Sequence, residues 1–285
     1  MGLLIECGLT LLHHLKATTP ITIYQVTVMY KEKILSQSLA VRTNVLLDVR
    51  KVVDTVRPDY DSVTPYKTNV IEWLKPIIDL TGFSVYPTNG ITEGLNWWMA
   101  HERRAVYMDL GDYQWVQETG NQYEDSIKYV SIPSAIDGNF REIPNHVPIA
   151  LDLAYVGSTQ VQKINLPNNV EHAFFSLSKS FGIRNIRTGW YFTRTPNLRL
   201  EALTHNAKYY NYYAHNVGES VISNFEVDFI HNQLYNKQKT ICNRLDLTPS
   251  DSVWLATTQD NDYIKFMRGN KDARICLAGV IDEET

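Results

Sequence analysis

The sequence predicts an α/β fold in which helices flank a largely parallel central sheet. Two observations support this fold class. From residue 83 onward, short strand-like segments alternate with helix-like segments, as they do in βαβ units. The chain has 285 residues, 44% of them hydrophobic and 20% charged, and such a chain can bury one large core. We therefore expect a globular α/β protein with a second, reduced α+β lobe at its C-terminal end.

Apolar spacing places the individual elements along the chain. Residues 70–80 and 92–101 repeat at the period of an amphipathic helix, and residues 198–239 form a longer helical stretch. Alternating or continuous apolar runs predict strands at residues 21–30, 83–86, 105–108, 126–132, 147–151, 170–177, 189–193, 253–257 and 274–278.

These elements divide the chain into three parts. Residues 1–45 form an N-terminal segment, residues 46–240 a large α/β domain, and residues 241–285 a small C-terminal lobe, with Pro249 near its start. Most of the predicted strands fall in the large domain. Because open α/β sheets bind ligands outside the carboxyl ends of their strands, we expect a ligand site to be built mainly there.

Composition and charge exclude several functional classes. The net charge is −4 and the basic residues are spread along the chain, so nucleic acid is not expected as a partner. No apolar run approaches the roughly 18 residues of a membrane span, and residues 1–12 lack the basic start of a signal peptide. Cys7, Cys242 and Cys276 are far apart and form neither a disulfide framework nor a metal-binding pair, which favours a reducing cytoplasm and no metal site.

The segment from Ser176 to Arg187 carries the strongest functional signal. An apolar run ends in front of it, so Lys179 is expected where a buried strand gives way to a loop. Apolar neighbours and the charges of Arg184 and Arg187 disfavour the ammonium form and leave an amine that can attack a carbonyl. Ser176, Ser178 and Arg187 are donors of the kind that hold a phosphate. A reactive lysine beside a phosphate cradle is what pyridoxal phosphate requires, although an exposed loop rich in Ser, Lys and Arg has the same composition.

Two further segments offer groups for the same ligand. Residues 88–94 form a glycine-bearing turn that opens a helix, where free N–H groups and Thr92 favour an anion; a simple helix cap is the alternative. Residues 149–155 contain an apolar strand that delivers Asp152 to its carboxyl end, and Tyr155 follows three positions later. A buried carboxylate needs a partner, and a protonated pyridine nitrogen is a suitable one, whereas capping a turn is the alternative role.

Near the C-terminus, Arg274 leads into a short apolar strand. From such a position a guanidinium can reach a neighbouring cleft and bind a carboxylate through two parallel hydrogen bonds. A surface salt bridge is the usual role of a single arginine. The order of the four segments along the chain is what favours one shared site.

In the order and spacing of these segments, the chain resembles the class I/II aminotransferases, which are pyridoxal phosphate enzymes of fold type I. The resemblance spans roughly residues 60–280. It rests on a glycine turn, an aromatic residue, an Asp-x-x-Tyr motif, a Ser-x-Ser-Lys segment with an arginine eight positions after the lysine, and a late arginine before an apolar strand. The resemblance implies that the large domain binds the cofactor, that the substrates are small molecules, an amino acid and a 2-oxo acid, and that the protein is a homodimer.

The resemblance also implies catalytic roles for three residues. Lys179 would form the internal aldimine with the cofactor and later carry the proton between the substrate Cα and C4′. Asp152 would bind the pyridine nitrogen and Tyr155 the O3′ oxygen. The cofactor phosphate would be held by Gly90, Ile91, Thr92, Ser176, Ser178 and Arg187.

Three more positions match groups around the cofactor and the substrate. Arg274 would bind the substrate α-carboxylate. Tyr113 would stack on the cofactor ring, with a plain core aromatic as the alternative. Tyr66 would reach the phosphate of the neighbouring subunit, a role for which Tyr60 is a second candidate.

The chain departs from the family pattern in two ways. The family has an Asn-Pro-x-Gly motif near O3′, but here the stretch runs from Ser131 to Gly138 and Ala135 stands where the asparagine belongs. An alanine side chain donates no hydrogen bond, so Tyr155 would serve O3′ alone or with Ser134. The chain is also short for the family, mainly in the N-terminal segment and the C-terminal lobe.

Three functions are compatible with the sequence. The leading hypothesis is an aminotransferase that moves an amino group between an amino acid and a 2-oxo acid through a Lys179 aldimine, because a reactive lysine and a carboxylate-binding arginine occur together. The second keeps pyridoxal phosphate and changes the reaction to that of a lyase, cyclase, racemase or decarboxylase, which Ala135 and the short C-terminal lobe favour. The third is a non-catalytic relative with the same fold.

Overall fold

The centre of the protein is a six-stranded sheet. The structure, a computed structural model, describes residues 23–36, 43, 45–58, 66–116, 125–269 and 272–281. The strands of this sheet are β1 (Ser84–Asn89), β2 (Ala105–Met108), β3 (Ser126–Ser131), β4 (Ile149–Asp152), β5 (Val170–Ser176) and β6 (Thr188–Thr193). Their spatial order is β1-β6-β5-β4-β3-β2.

Five of the six strands run in one direction. β2, β3, β4 and β5 pair in parallel, whereas β6 is antiparallel to both β5 and β1. β1 therefore points the same way as β5, and the predicted largely parallel sheet is confirmed. β4 and β6 are buried along their whole length, as expected for strands of a sheet that is covered on both faces.

Helices cover both faces of the sheet. The α-helices are α1 (Ile23–Ser36), α2 (Leu47–Thr55), α3 (Val70–Leu74), α4 (Ile91–His101), α5 (Leu177–Ser180), α6 (Leu198–Glu201), α7 (Tyr212–Asn224), α8 (Phe229–Leu245) and α9 (Ala278–Ile281). Gly94 in α4 lies against Tyr191, and Gly218 in α7 lies against Trp190. Trp190 and Tyr191 are successive residues of β6 whose side chains point to opposite faces, so α4 and α7 lie on opposite sides of the sheet. No helix in the described part of the chain is long and apolar enough to cross a membrane.

Two element predictions are wrong. Residues 21–30 were expected to form a strand, but α1 covers most of them, and its buried residues Tyr30 and Ile34 are four positions apart on one helical face. The helix expected over residues 70–80 ends at Leu74, because Pro76 lacks an amide proton and its ring clashes with the preceding turn. The long helical stretch is divided into α6, a π-helical turn (Ala202–Asn206), α7 and α8.

A second, antiparallel sheet lies in the C-terminal part of the chain. Its strands are β7 (Thr248–Pro249), β8 (Leu255–Thr258), β9 (Met267–Arg268) and β10 (Asp272–Cys276), in the order β7-β8-β10-β9, with a 3-10 helix (Asn261–Phe266) between β8 and β9. The segment before β8 is fixed to the large sheet, since the Trp254 indole donates to the Ser180 carbonyl oxygen over 3.0 Å and the Ser158 and Ser252 hydroxyl oxygens lie 2.8 Å apart. This contact brings the small sheet next to α5. The domain bounds at residues 45 and 240 stay predictions.

Candidate active site

The carboxyl ends of β4 and β5 carry two of the predicted site residues. β4 ends at Asp152, and β5 ends at Ser176, which is followed directly by α5 with Lys179. Because β4 and β5 pair in parallel, both ends lie at the same edge of the sheet. The expected loop after β5 begins as one helical turn, so Lys179 projects from a short, well-anchored helix.

Lys179 is half-buried beside two aromatic rings. Its Nζ lies 3.4 Å from the hydroxyl oxygen of Tyr155, 4.8 Å from the centre of the Tyr155 ring and 5.2 Å from the centre of the Tyr113 ring. The electron-rich faces of both rings attract the ammonium group. Three residues that are distant along the chain therefore meet in one place.

Asp152 is a buried carboxylate with only 3% of its surface exposed. Its Oδ1 accepts a hydrogen bond from the Ala154 backbone N–H over 2.7 Å, and its Oδ2 accepts one from the Tyr129 hydroxyl. Burial raises the pKa of Asp152 to about 6, against the opposing effects of the Tyr129 hydrogen bond and the Lys179 charge. A positively charged partner at this carboxylate would offset the cost of its burial.

A second buried carboxylate, Asp112, was not predicted. Its Oδ1 accepts hydrogen bonds from the Ser131 hydroxyl over 2.6 Å and from the Tyr113 backbone N–H over 2.8 Å. Ser131 in turn accepts a hydrogen bond from the Ala135 backbone N–H over 2.7 Å. Burial raises the pKa of Asp112. Asp112 thus joins the turn that carries Tyr113 to the loop that carries Ala135.

Gly90 and Arg187 meet at the start of α4. The Arg187 guanidinium donates to the Asn89 carbonyl oxygen over 3.0 Å, and a Cβ at Gly90 would lie 2.8 Å from Arg187 Nη2. Gly90 has φ 76° and Arg187 has φ 64°, so both backbones adopt left-handed conformations at this contact. The next residues, Ile91 and Thr92, begin the 11-residue helix α4, whose first N–H groups lack helical partners. The junction combines a guanidinium with free backbone donors.

Two of the predicted phosphate-binding serines are buried. Ser178 Oγ is buried and has no hydrogen-bond partner among the described residues. Ser176 is buried at the end of β5, and its side chain makes no capping hydrogen bond to α5. Buried hydroxyls in proteins are normally hydrogen-bonded, so the Ser178 hydroxyl points to a polar ligand. A phosphate supplies acceptors for hydroxyl, guanidinium and backbone N–H donors alike.

Arg274 reaches the site from the small sheet. It is 7% exposed on β10, and its Nη1 donates to the Ala135 carbonyl oxygen and, over 3.5 Å, to the Tyr155 hydroxyl. Ala135 stands where the family has an asparagine, and its main-chain carbonyl thus contacts Arg274.

A second arginine, Arg268, was not predicted. It contacts the same Ala135 oxygen over 3.5 Å and the Gly111 carbonyl oxygen over 3.3 Å. The sequence contained one signal for Arg268, namely a second arginine six positions before Arg274.

Tyr66 lies apart from the contacts around Lys179. Its ring packs against His205, Tyr210 and His215 of the same chain, with ring centres 5.4, 5.5 and 5.0 Å away. Burial and the nearby Glu219 carboxylate raise the pKa of Tyr66 well above its usual value. Its contribution to a partner subunit stays a prediction. No group of three or more His, Cys, Asp or Glu side chains arranged for a metal ion occurs among the residues that the structure describes.

The chain has the fold of the pyridoxal phosphate-dependent enzymes of fold type I, so the predicted resemblance is confirmed at the level of the fold. A tetra mutant of aspartate aminotransferase from Thermus thermophilus, complexed with tryptophan, matches with a TM-score of 0.58 at 12% identity, over 94% of this chain and 96% of the other. Histidinol-phosphate aminotransferase from Sinorhizobium meliloti, in complex with pyridoxal-5′-phosphate, matches with a TM-score of 0.52 at 13% identity, over 94% and 96%.

The fold also occurs in a lyase. The pyridoxal phosphate-bound C-S lyase from Staphylococcus hominis matches with a TM-score of 0.57 at 11% identity, over 91% of this chain and 85% of the other. No protein-family model and no curated protein matches the sequence. The likeness to these solved structures therefore establishes the fold, and the chemistry has to be argued from the site.

Proposed function

We propose that this protein is a pyridoxal phosphate-dependent aminotransferase that transfers an amino group between an amino acid and a 2-oxo acid. One observation carries the proposal. Lys179 Nζ lies 3.4 Å from the Tyr155 hydroxyl and faces the Tyr113 ring, at the sheet edge where Asp152 ends the neighbouring strand. An amine, a phenol and a buried carboxylate in this order match the polar atoms along the cofactor ring.

The residues present fit the cofactor. The unpartnered Ser178 hydroxyl and the Gly90–Arg187 junction, which a Cβ at Gly90 would fill, supply a place for the phosphate. When bound, pyridoxal phosphate supplies an aldehyde that condenses with amines and a ring that withdraws electrons from the substrate Cα. The residues proposed to hold it are Gly90, Ile91, Thr92, Tyr113, Asp152, Tyr155, Ser176, Ser178, Lys179 and Arg187.

The protein's own groups divide the work of such a reaction. Burial makes the ionised form of Asp152 costly, so its carboxylate would favour a positively charged partner such as a protonated pyridine nitrogen. The Lys179 amine is placed to take a proton from the substrate Cα and to return it. The Arg274 guanidinium binds the substrate carboxylate and fixes the Cα relative to Lys179. The aromatic rings of Tyr113 and Tyr155 exclude water from one side of the amine.

The test is to load the protein with pyridoxal phosphate, reduce it with borohydride and locate the modified residue by mass spectrometry. We expect a visible absorption band that borohydride bleaches and a stable adduct on Lys179. Lys179→Ala should lose the band and the adduct, whereas Lys163→Ala, which removes an exposed lysine, should keep both. A colourless protein, or an adduct on another lysine, would contradict the proposal.

The type of reaction is tested on the loaded protein with panels of amino acids and 2-oxo acids. An aminotransferase converts the cofactor to its amine form with an amino acid alone and returns it with a 2-oxo acid. A lyase is the second candidate, because Ala135 offers a main-chain carbonyl where the family has an asparagine side chain. Release of ammonia and a 2-oxo acid without amino-group exchange would favour it. If Lys179→Ala leaves the biological activity unchanged, the protein is a non-catalytic relative.

The remaining parts of the proposal concern assembly and location. We propose that the protein is a homodimer that binds small molecules, as the resemblance implies, and that it is located in the cytoplasm, as the dispersed cysteines favour. The exposed aromatic residue Tyr209 and the half-buried Tyr210, together with the exposed Leu203, offer apolar surface for a contact between subunits. Sedimentation equilibrium of the loaded protein gives the subunit number.

A further inference from the structure

One face of β3 connects two buried carboxylates. The side chains of Tyr129 and Ser131 are two positions apart on β3, so they point to the same face of the sheet. Ser131 is paired in register with Asp152 on the neighbouring strand β4. The Tyr129 hydroxyl donates to Asp152 Oδ2. The Ser131 hydroxyl donates to Asp112 Oδ1 over 2.6 Å. Asp112 is therefore a close neighbour of the carboxylate that is proposed to bind the pyridine nitrogen.

The charge of Asp112 lies in an unfavourable place. Asp112 is 4% exposed, and burial raises the pKa of its carboxyl group. Its hydrogen-bond donors are the Ser131 hydroxyl and backbone N–H and the Tyr113 backbone N–H, all of them neutral. No basic side chain of the described residues forms an ion pair with it, although its charge also acts on Arg268 of β9. An asparagine could accept the two bonds made to Oδ1 without burying a charge, which points to a role for the charge itself.

The charge of Asp112 acts on the groups around Asp152. Burial is the main cause of the raised pKa values of Tyr129 and Asp152, and the Asp112 charge adds to both. At Asp152 the Tyr129 hydrogen bond and the Lys179 charge oppose this effect. Asp109, an exposed acid of the same turn, adds to the negative charge that acts on Asp112. Two like charges in one buried place favour a cationic partner that interacts with both.

The same carboxylate holds the aromatic residue of the site. Asp112 Oδ1 accepts a hydrogen bond from the Tyr113 backbone N–H over 2.8 Å, and the centre of the Tyr113 ring lies 5.2 Å from Lys179 Nζ. The Ser131 oxygen accepts from the Ala135 backbone N–H over 2.7 Å, which leaves the Ser131 hydroxyl proton for Asp112. A substitution at Asp112 therefore has two separable effects, one on the position of the Tyr113 ring and one on the charge beside β4.

We propose that Asp112 is a positioning residue that holds the Tyr113 turn against β3 and supplies a second negative charge beside Asp152, which keeps the pyridine nitrogen of the bound cofactor protonated. This inference rests on the proposed function. Asp152 contacts the nitrogen, and Asp112 acts on it through space from the same face of β3. A ring that is protonated at its nitrogen withdraws electrons from the substrate Cα more strongly than a neutral ring, so the Asp112 charge favours proton removal by Lys179.

A cofactor analogue with carbon in place of the ring nitrogen separates the two effects without any turnover. Fluorescence titration of the apoprotein compares this analogue with pyridoxal phosphate, which has the same phosphate and aldehyde. We expect Asp112→Asn to weaken binding of pyridoxal phosphate about 5- to 30-fold and binding of the analogue less than about threefold, because only the nitrogen responds to the lost charge. Asp112→Ala also loses the hydrogen bond to Tyr113 and should weaken binding of both ligands. Asp109→Asn removes the exposed acid of the same turn and should change neither.

The protonation of the nitrogen gives a second readout. Protein loaded with a cofactor that is isotopically labelled at the ring nitrogen is titrated with base and followed by NMR. The midpoint of deprotonation should lie about one pH unit lower in Asp112→Asn than in the native protein, which corresponds to a tenfold change in proton affinity. Retained binding of the carbon analogue shows that this variant is folded.

Two results would overturn the inference. These are equal losses of affinity for both ligands in Asp112→Asn, and an unchanged midpoint of deprotonation. Both leave the proposed function intact, because that function depends on the adduct at Lys179. A native protein that takes up neither ligand and forms no adduct at Lys179 would instead refute the proposed function.

Discussion

Gly90 is the residue at which a side chain would most directly disturb the proposed phosphate site. Its φ of 76° and ψ of 174° lie in a region that is almost restricted to glycine, and the Arg187 guanidinium occupies the space a Cβ would enter. The same guanidinium is fixed by its hydrogen bond to the Asn89 carbonyl oxygen. Backbone conformation and guanidinium position are therefore coupled at this glycine.

We expect Gly90→Ala to weaken pyridoxal phosphate binding about 10- to 100-fold, because the displaced Arg187 loses a charged hydrogen bond to the phosphate. Fluorescence titration of the apoprotein with the cofactor measures this. Gly82→Ala is the matched control, since Gly82 also has a positive φ of 88° but has no atom within 4 Å of its would-be Cβ. It should cost about 1–2 kcal/mol of folding free energy and leave the affinity for the cofactor unchanged. Equal affinity losses in both variants would mean that backbone strain, not Arg187, is responsible.

Site residues at the ends of strands could be predicted from the sequence, whereas buried residues that act through hydrogen bonds to distant parts of the chain could not. Asp152 and Lys179 each follow an apolar run, so a sequence pattern alone places them at the edge of the sheet. Tyr129 lies within β3 and has the composition of an ordinary core tyrosine, yet its hydroxyl binds Asp152. Asp112 acts through contacts with Ser131, 19 positions away. Such partners become visible only when the strand order is known.

At the level of elements, the continuous apolar strands were the most predictable part. The predicted strand at residues 105–108 has the bounds of β2, and that at residues 126–132 exceeds β3 by one residue. β3 is buried at five of its six positions, whereas β2 lies at the edge of the sheet and is mostly part-buried, so a short apolar run marked a strand in both places. α1 was mistaken for a strand because its alternating residues suit either structure locally, and packing against α8 and α9 decides the outcome.

The join between α8 and the small sheet depends on Gln238. This residue is buried, and its side-chain amide donates to the carbonyl oxygens of Ser250, Ser252 and Leu255 over 2.9, 3.1 and 2.8 Å. β8, which begins at Leu255, pairs with the strand that carries Arg274. The amide thus anchors the element that positions one of the two arginines.

We expect Gln238→Leu to lower the free energy of unfolding by about 1–3 kcal/mol, because the buried carbonyl groups lose a donor that leucine does not replace. Urea denaturation followed by tryptophan fluorescence measures the change. Gln233→Leu, on the exposed surface of the same helix, should stay within about 0.5 kcal/mol of the native protein. If the two variants are equally stable, the amide does not hold the small sheet in place.

For the molecule as a whole, a lower pH should reduce the free energy of unfolding through buried histidines on both faces of the large sheet. His172 lies with Trp98 and Tyr191 on the α4 side of the sheet, and His215 lies in α7 on the other side, where its Nε2 is 2.8 Å from the Lys67 carbonyl oxygen. Burial lowers the pKa of each histidine from 6.5 to about 4. Glu171 and Glu102 oppose this effect at His172, without reversing it.

The sign of the pH dependence follows from these two values. Between about pH 6.5 and pH 4 the unfolded chain binds protons at both histidines and the folded protein does not, so stability is present above this window and is lost as the pH falls through it. Each histidine should remove about 2 kcal/mol of unfolding free energy between pH 7 and pH 5, where the folded rings are still mostly neutral.

Urea denaturation of the apoprotein at pH 5, 6 and 7 measures this loss. Between pH 7 and pH 5, the variant with both His172→Gln and His215→Gln should lose about 4 kcal/mol less unfolding free energy than the native protein. His146→Gln, at an exposed position, should follow the native profile. Parallel profiles for the native protein and the double variant would show that neither buried ring stays neutral in the folded protein. The buried carboxylates Asp112 and Asp152 have raised pKa values and act in the opposite direction, so they cannot supply the acid lability.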